Sequence, residues 1–396
     1  MSIMAIPKPP FPAAWRSIPV SPKNLTLANT LPVGQSFLWH RLPQTAEQDE
    51  EYSRAIDNPP RVVCLRQSPT HIHYTAVYPN AAAAERDEHM SATKVWLEDY
   101  FQLATYPDLD VLYAEWRNRD SMLFAPAELN PRAIGVRVLR QDPWECLVAF
   151  ITSTNNHISR ITSLLHKLSK TFTDPVLTLD HSPHSPSITY HLFPAPHLLP
   201  VALDTTLRDL GFGYRAPFIE SSLATLRHKF GSQKGNIEAE LALWRHRDTE
   251  TVRDELVALK GVGRKVADCV MLMCLDKPSL VPIDTHVANI AARHPSFPSR
   301  LRGKPMSKQV YDETQEFLLD KWGPLAGLCQ AVMFAADLAP APMVKKEVVS
   351  VTKQTTKTRR IEVVEDSGEQ PPWKRTRSAT RQAIKVEVST TKQELP

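Results

Sequence analysis

The period of the hydrophobic pattern changes along the chain. In the first hundred or so residues, apolar positions fall in short β-prone runs, Arg61 to Leu65 (RVVCL) and His71 to Tyr78 (HIHYTAVY), separated by proline-rich turns. These predict an antiparallel sheet. From Thr93 onward the spacing is helical. Asp142-Pro143 with Glu145 makes a capped start, and Trp144, Leu147, Val148 and Ile151 follow at i, i+3, i+4 and i+7, which predicts a helix ending near Thr154-Asn155-Asn156. Ile158, Ile161, Leu165 and Leu168 mark a second one. The stretch DHSPHSPSITYHLFPAP, 180 to 196, reads as a loop, after which helices continue through Leu338. Beyond Ala339 large apolar residues give way to Lys, Arg, Thr, Glu and Val, which predicts a disordered tail.

The expected fold class is α+β. It divides into an N-terminal antiparallel β domain (1–118), a helical part (119–339) and a disordered basic tail (340–396). With 396 residues, 42% hydrophobic and 23% charged, the chain has material for two or three packed units of a soluble globular protein. No apolar run approaches the roughly 18 residues of a membrane span. The five cysteines form no C-x-x-C pair, so no disulfide framework, no zinc or iron–sulfur site and no cofactor is expected, and a reducing compartment fits best. The first 46 residues carry Lys8, Arg16, Lys23 and Arg41 but no acid, as a mitochondrial presequence would; Pro7, Pro9, Pro10 and Pro12 would break the helix that such a presequence needs.

Charge narrows the partners. Residues 340–396 hold twelve Lys/Arg against seven Asp/Glu, and the rest of the chain is nearly balanced at 35 against 36. Net charge therefore points to nucleic acid only through the tail, and a DNA site on the folded part has to be a local set of donors.

Residues 251–275 hold such a set. Thr251 to Leu259 reads as a helix, Gly261-Val262-Gly263 as a tight turn and Arg264 to Leu275 as a second helix, a helix-hairpin-helix. The glycines allow positive φ and close approach, and the free amides of the second helix can hold a phosphate oxygen. Lys265 lies in that helix's first turn, where the macrodipole disfavours an ammonium and should lower its pKa. An unprotonated lysine is a nucleophile; from the turn alone, a solvated lysine or a phosphate contact is the plainer reading. Asp284, behind Pro282, can cap a helix starting near Thr285 whose buried face is Val287, Ile290 and Ala291. A carboxylate near a lysine can also stabilise an oxocarbenium-like sugar carbon. The two jobs are compatible.

The turn GVGRK followed by VPIDTH resembles the helix-hairpin-helix, Gly/Pro-Asp superfamily of DNA base-excision glycosylases. LPVGQSFLW (31–39), RQDPWECLVAFITSTNNHISRI (140–161), LGFGYRAPF (210–218), KVADCVMLMCLDKP (265–278) and WGPLAGLCQAVMFAADL (322–338) resemble its eukaryotic 8-oxoguanine DNA glycosylase/lyase branch, so the likeness runs from about Trp15 to Leu338. Three positions depart from the family pattern. Lys260 replaces a proline before GVG, His157 a third asparagine, and Leu38 an arginine often found there. No cysteine cluster follows, unlike in the iron–sulfur branch.

This resemblance implies a bifunctional glycosylase/AP lyase of base-excision repair, acting as a monomer on double-stranded DNA with 8-oxoguanine opposite cytosine, and on ring-opened purines. The nucleotide would flip out of the duplex, Lys265 would displace the base and form a Schiff base, and β-elimination would nick the strand, with Asp284 stabilising developing positive charge. Gln330 would bond the Watson–Crick edge, Phe334 and Cys269 would sandwich the base, and the Gly34 carbonyl would accept the N7 proton that guanine lacks. Asn155, Arg160 and Arg215 would face the orphaned cytosine, with Tyr214 as the wedge. Gly261, Gly263 and His286 would contact the phosphate backbone. Taken singly, several of these residues have plainer readings: Gln330 as a core amide, Asn155-Asn156 as a helix stop, Arg215 as a surface salt bridge, and His286 as a structural residue near a cap. A non-catalytic DNA-binding protein would need only the hairpin, and an alkyl-base glycosylase would lack the lysine. In the tail, Lys357-Thr358-Arg359-Arg360 and Lys374-Arg375-Thr376-Arg377 suit a nuclear import receptor, or a solvated charge run.

Overall fold

The computed structural model describes residues 5–44, 49–181 and 187–338. The expected tail, 340–396, lies outside them. The described residues belong to one compact unit, Met1–Pro340. Five strands form an antiparallel sheet in the order β2 (Arg16–Pro19), β6 (His71–Val77), β5 (Arg61–Gln67), β4 (Glu51–Ile56) and β3 (His40–Leu42). The apolar run of β5 is continuous because both faces of this sheet are covered. Val63 and Leu65 pack with Tyr52, Leu97 and Tyr100 on one face; Val62 and Cys64 pack with Leu177, Leu179 and Tyr190 on the other.

That second cover corrects one expectation. Part of the stretch read as a loop is β8 (Ile188–His191), antiparallel to β7 (Pro175–Asp180), and β7 runs parallel to β1 (Ala5–Pro7). Leu177, Leu179 and Tyr190 carry the alternation, but the prolines between the strands and a partner some 170 residues away conceal it locally.

Helices make up most of the remainder. The Pro143–Ser153 helix starts where expected, with Asp142 accepting the Glu145 amide at 2.9 Å, and every residue from Pro143 to Thr152 is buried. It stops at Thr154, and Asn155 follows at φ +48°. The Arg264–Cys274 helix packs along it, and both contribute to the main helical core. Leu109, Tyr113 and Trp116, which precede residue 118, also belong to that core. So does Leu38, which is 6% exposed.

Candidate active site

The first helix of the hairpin spans Thr249–Val257, with Asp248 accepting the Thr251 amide at 2.9 Å; the second, Arg264–Cys274, is called here the lysine helix. Gly261 turns the chain at φ +85°. A Cβ there would meet the Phe218 ring at 2.4 Å, so only glycine fits. At the neighbouring departure from the family pattern, Lys260, the carbonyl accepts Ser222 Oγ at 3.1 Å, a bond that does not depend on the side chain at 260.

Lys265, on the lysine helix, lines an open cleft of about 480 Å³, counted out to its mouth. Cys269, one turn on, lines it too, together with Gly34, Asp284, Gln330 and Phe334. Six residues drawn from four distant stretches of sequence thus converge. Asp284 caps the Thr285–Arg293 helix through the Val287 amide at 2.9 Å, and Val287, Ile290 and Ala291 are buried as expected. Gln330 and Phe334 sit one turn apart on the Ala326–Asp337 helix. This helix lies against 278–280, where Gly327 N–H donates to Pro278 O at 2.9 Å and a Cβ on Gly327 would stand 2.3 Å from Leu280 O. Gln330 is 6% exposed, and among the described residues no donor reaches its Oε1. An amide oxygen buried without a donor favours a ligand that brings an N–H.

The environment of Lys265 corrects another expectation. Its side chain keeps surface in the cleft but is otherwise enclosed by protein, with Nζ 5.4 Å from the centre of the Phe150 ring. Burial is the largest influence and pulls its pKa down. The Cys269 sulfur and the Asp284 carboxylate beside the amine outweigh burial, so the pKa is raised above the ordinary lysine value, not lowered. Burial pushes the Cys269 thiol up to about 11. At neutral pH both groups therefore keep their protons, and the amine has to lose one before it can attack.

A second group gathers at the 154–155 turn. Arg215, 4% exposed, donates through Nε to Thr154 O at 3.0 Å and through Nη2 to Asn155 O at 3.0 Å; it also lies 4.4 Å from the Tyr214 ring centre. This buried arginine is not a surface salt bridge. Tyr214 is 47% exposed and its hydroxyl donates to Thr154 O at 2.9 Å. Asn155 and Arg160 are exposed, and Arg160 Nη2 donates to Gly211 O at 3.2 Å. His286 is exposed, 3.7 Å from an Asp337 oxygen and edge-on to Phe334. Gly263 is exposed at the start of the lysine helix.

Phe150, Val33, Gln35, Met273 and Pro282 also line the cleft. Phe150 carried no signal of its own, because its helix is apolar on every face. As for metals, Glu51, Cys64 and His181 are buried with ligand atoms within 4.8 Å of one another. Lys8 Nζ and Arg66 Nε already donate to Glu51 Oε2 at 2.7 and 2.8 Å, and His181 Nδ1 lies 2.9 Å from Oε1. Two cations on one carboxylate would repel a third, so the arrangement suits an ion-pair lock between the two sheets.

Comparison with known proteins identifies the family. The model of the 8-oxoguanine DNA glycosylase N-terminal domain matches residues 17–147. The chain is 32% identical to the N-glycosylase/DNA lyase of Saccharomyces cerevisiae over 378 residues, covering 88% of this chain and 91% of that protein. It belongs to the 8-oxoguanine DNA N-glycosylase/lyase family. Another member, the Arabidopsis thaliana N-glycosylase/DNA lyase, is 31% identical over 329 residues, 82% of this chain and 80% of that one. Among solved structures, the family fold is seen in the Clostridium acetobutylicum 8-oxoguanine glycosylase/lyase, whose complex holds double-stranded DNA with cytosine opposite the lesion. Its TM-score is 0.59 at 25% identity, over 79% of this chain and 91% of that one. As a member of this family, the protein is a DNA glycosylase with lyase activity.

Proposed function

We propose that this glycosylase/lyase excises 8-oxoguanine opposite cytosine, with Lys265 as nucleophile and Asp284 as its electrostatic partner. The observation that carries the reading is the convergence of Gly34, Lys265, Cys269, Asp284, Gln330 and Phe334 on one cleft. A base in a duplex cannot reach such a cleft, so the nucleotide is flipped out. Gln330, its Oε1 lacking a donor, takes the Watson–Crick edge, while Cys269 and Phe334 hold the two faces of the base. Lys265 loses its proton, attacks C1′ and expels the base; the resulting Schiff base supports loss of the 3′ phosphate. Asp284 stabilises the positive charge that develops on the sugar. The exposed Tyr214, beside Asn155, Arg160 and Arg215, occupies the gap and faces the orphaned cytosine. Gly261, Gly263 and His286 meet the backbone phosphates. A single copy supplies every group used, which supports a monomeric enzyme.

The test compares duplexes carrying 8-oxoguanine or guanine opposite cytosine. Free 8-oxoguanine and a nicked strand are expected from the first duplex alone. A protein that leaves the lesion duplex intact, or cuts both alike, overturns the reading. The basic clusters at 357–360 and 374–377 support nuclear import through the tail. Deleting 340–396 is expected to reduce nuclear accumulation and spare base release; unchanged localisation rejects that role.

A further inference from the structure

The lysine helix also carries a carboxylate that does not line the cleft and that the chemistry above does not use. Asp268 is fully buried, three residues after Lys265 and one before Cys269. Arg253 Nε lies 3.2 Å from its Oδ1. Its Oδ2 accepts Tyr311 Oη at 2.8 Å and Gln315 Nε2 at 2.7 Å. Tyr311 and Gln315 stand one turn apart on the Lys308–Trp322 helix, so both face the same oxygen.

Each donor also reaches the segment that leads into Asp284. Tyr311 Oη accepts the Ile283 amide at 3.1 Å, and Gln315 Nε2 donates to Val281 O at 2.9 Å. The two bonds bracket Pro282, which lines the cleft and has no amide to give. Val281 and Ile283 are 0% and 2% exposed, so the bonds form without competing water. One carboxylate on the helix that carries Lys265 is thereby linked, through two side chains, to the backbone on both sides of Pro282. The second of these anchors is the residue before Asp284.

We propose that Asp268, Tyr311 and Gln315 are positioning residues that set the Asp284 carboxylate against the Lys265 amine. The inference rests on the roles assigned above to those two residues. Lys265 rides on one helix and Asp284 on the cap of another, and the backbone between them, through 275–283, is irregular. A displacement of the order of 1 Å between reacting groups can cost about a hundredfold in rate. The relay holds that separation without touching the DNA.

The test is a double-mutant cycle on the full-length protein, read as the single-turnover rate of 8-oxoguanine release and, separately, as affinity for the lesion duplex. Tyr311→Phe removes one oxygen and keeps the ring. It is expected to slow base release by about tenfold or more while affinity stays within about twofold. In an Asp284→Asn background the same substitution is expected to cost less than about twofold, because the group it positions is already gone. Gln315→Met removes the other bridge and serves the same cycle if Tyr311→Phe does not fold. Penalties that multiply independently in the two backgrounds, or rate and affinity falling in step, would show a structural role only and overturn the proposal. An active wild type with an unimpaired Tyr311→Phe variant defeats this inference alone. An inactive wild type defeats the reading of Lys265 and Asp284 as well.

Discussion

Asp284 Oδ1 accepts the Val287 amide at 2.9 Å, while the same residue lines the cleft with Lys265. One carboxylate therefore caps a helix and faces the amine. Asparagine caps as well as aspartate does, so Asp284→Asn separates the two jobs. Its melting temperature is expected to stay within about 2 °C of wild type, since a cap difference of tenths of a kcal/mol moves a protein of this size little. Base release is expected to fall by about two to four orders of magnitude. A wild-type rate would leave Asp284 as a cap only.

The protonation of Lys265 sets a pH dependence. Because its pKa is raised, the reactive neutral amine is the minor form at neutral pH, and single-turnover base release should climb with pH, by up to about tenfold per unit. Asp284 is one of the charges that hold the proton on. Removing that charge lowers the lysine pKa, so the residual activity of Asp284→Asn should rise at lower pH than wild type. Profiles that coincide after normalisation would count against this coupling.

Part of this site was legible because its signals are local, while Gly34, Cys269, Gln330 and Phe334 came only with the family resemblance. The glycine turn, its lysine and the Pro-Ile-Asp cap each fit within a few residues, and helical periodicity located the Pro143–Ser153 helix to its ends. Long-range partners decided the rest. β7 and β8 depend on β1 and on the face of β5. The Asp268 relay joins residues 43 and 47 positions apart and has no sequence signature. The direction of the Lys265 shift is not legible locally, because Asp284 and Cys269, which oppose the effect of burial, come close only in the fold.

Arg160 and Arg215 should differ in what their loss costs. Cytosine offers O2 and N3 to arginine donors, and adenine presents a donor near that position, so wild type should favour 8-oxoguanine opposite cytosine over adenine by at least about tenfold. Arg160 is exposed, and Arg160→Ala should flatten this preference without altering the melting temperature. Arg215→Ala should flatten it and also destabilise the protein, by about 1 to 3 kcal/mol, because the part-buried bond to Asn155 O is lost and Thr154 O keeps only the Tyr214 hydroxyl. Excision rates on the two duplexes, with thermal melts of each variant, decide this. Equal wild-type rates would place these residues on the wrong face.

Gly327 tests how the base-recognition helix is seated. A methyl group there would stand 2.3 Å from Leu280 O and 2.8 Å from Pro278 O, both backbone atoms that cannot swing aside. Gly327→Ala is expected to destabilise by about 1 to 3 kcal/mol and to weaken lesion binding through Gln330 and Phe334. At Gly263 a Cβ meets nothing within 4 Å, and Gly263→Ala should leave the melting temperature within about 2 °C of wild type. Equal thermal melts for the two variants would show that the helix can move freely.

The central claim is that Lys265 Nζ is the atom that joins the sugar. Borohydride reduction during incubation with an 8-oxoguanine:cytosine duplex tests it most directly, because it converts a Schiff base into a stable bond. Wild type should give a covalent protein–DNA band whose cross-linked peptide maps to Lys265. Lys265→Gln should bind the same duplex and give no band. An undiminished band from Lys265→Gln, or a wild-type cross-link at another residue, would contradict the account.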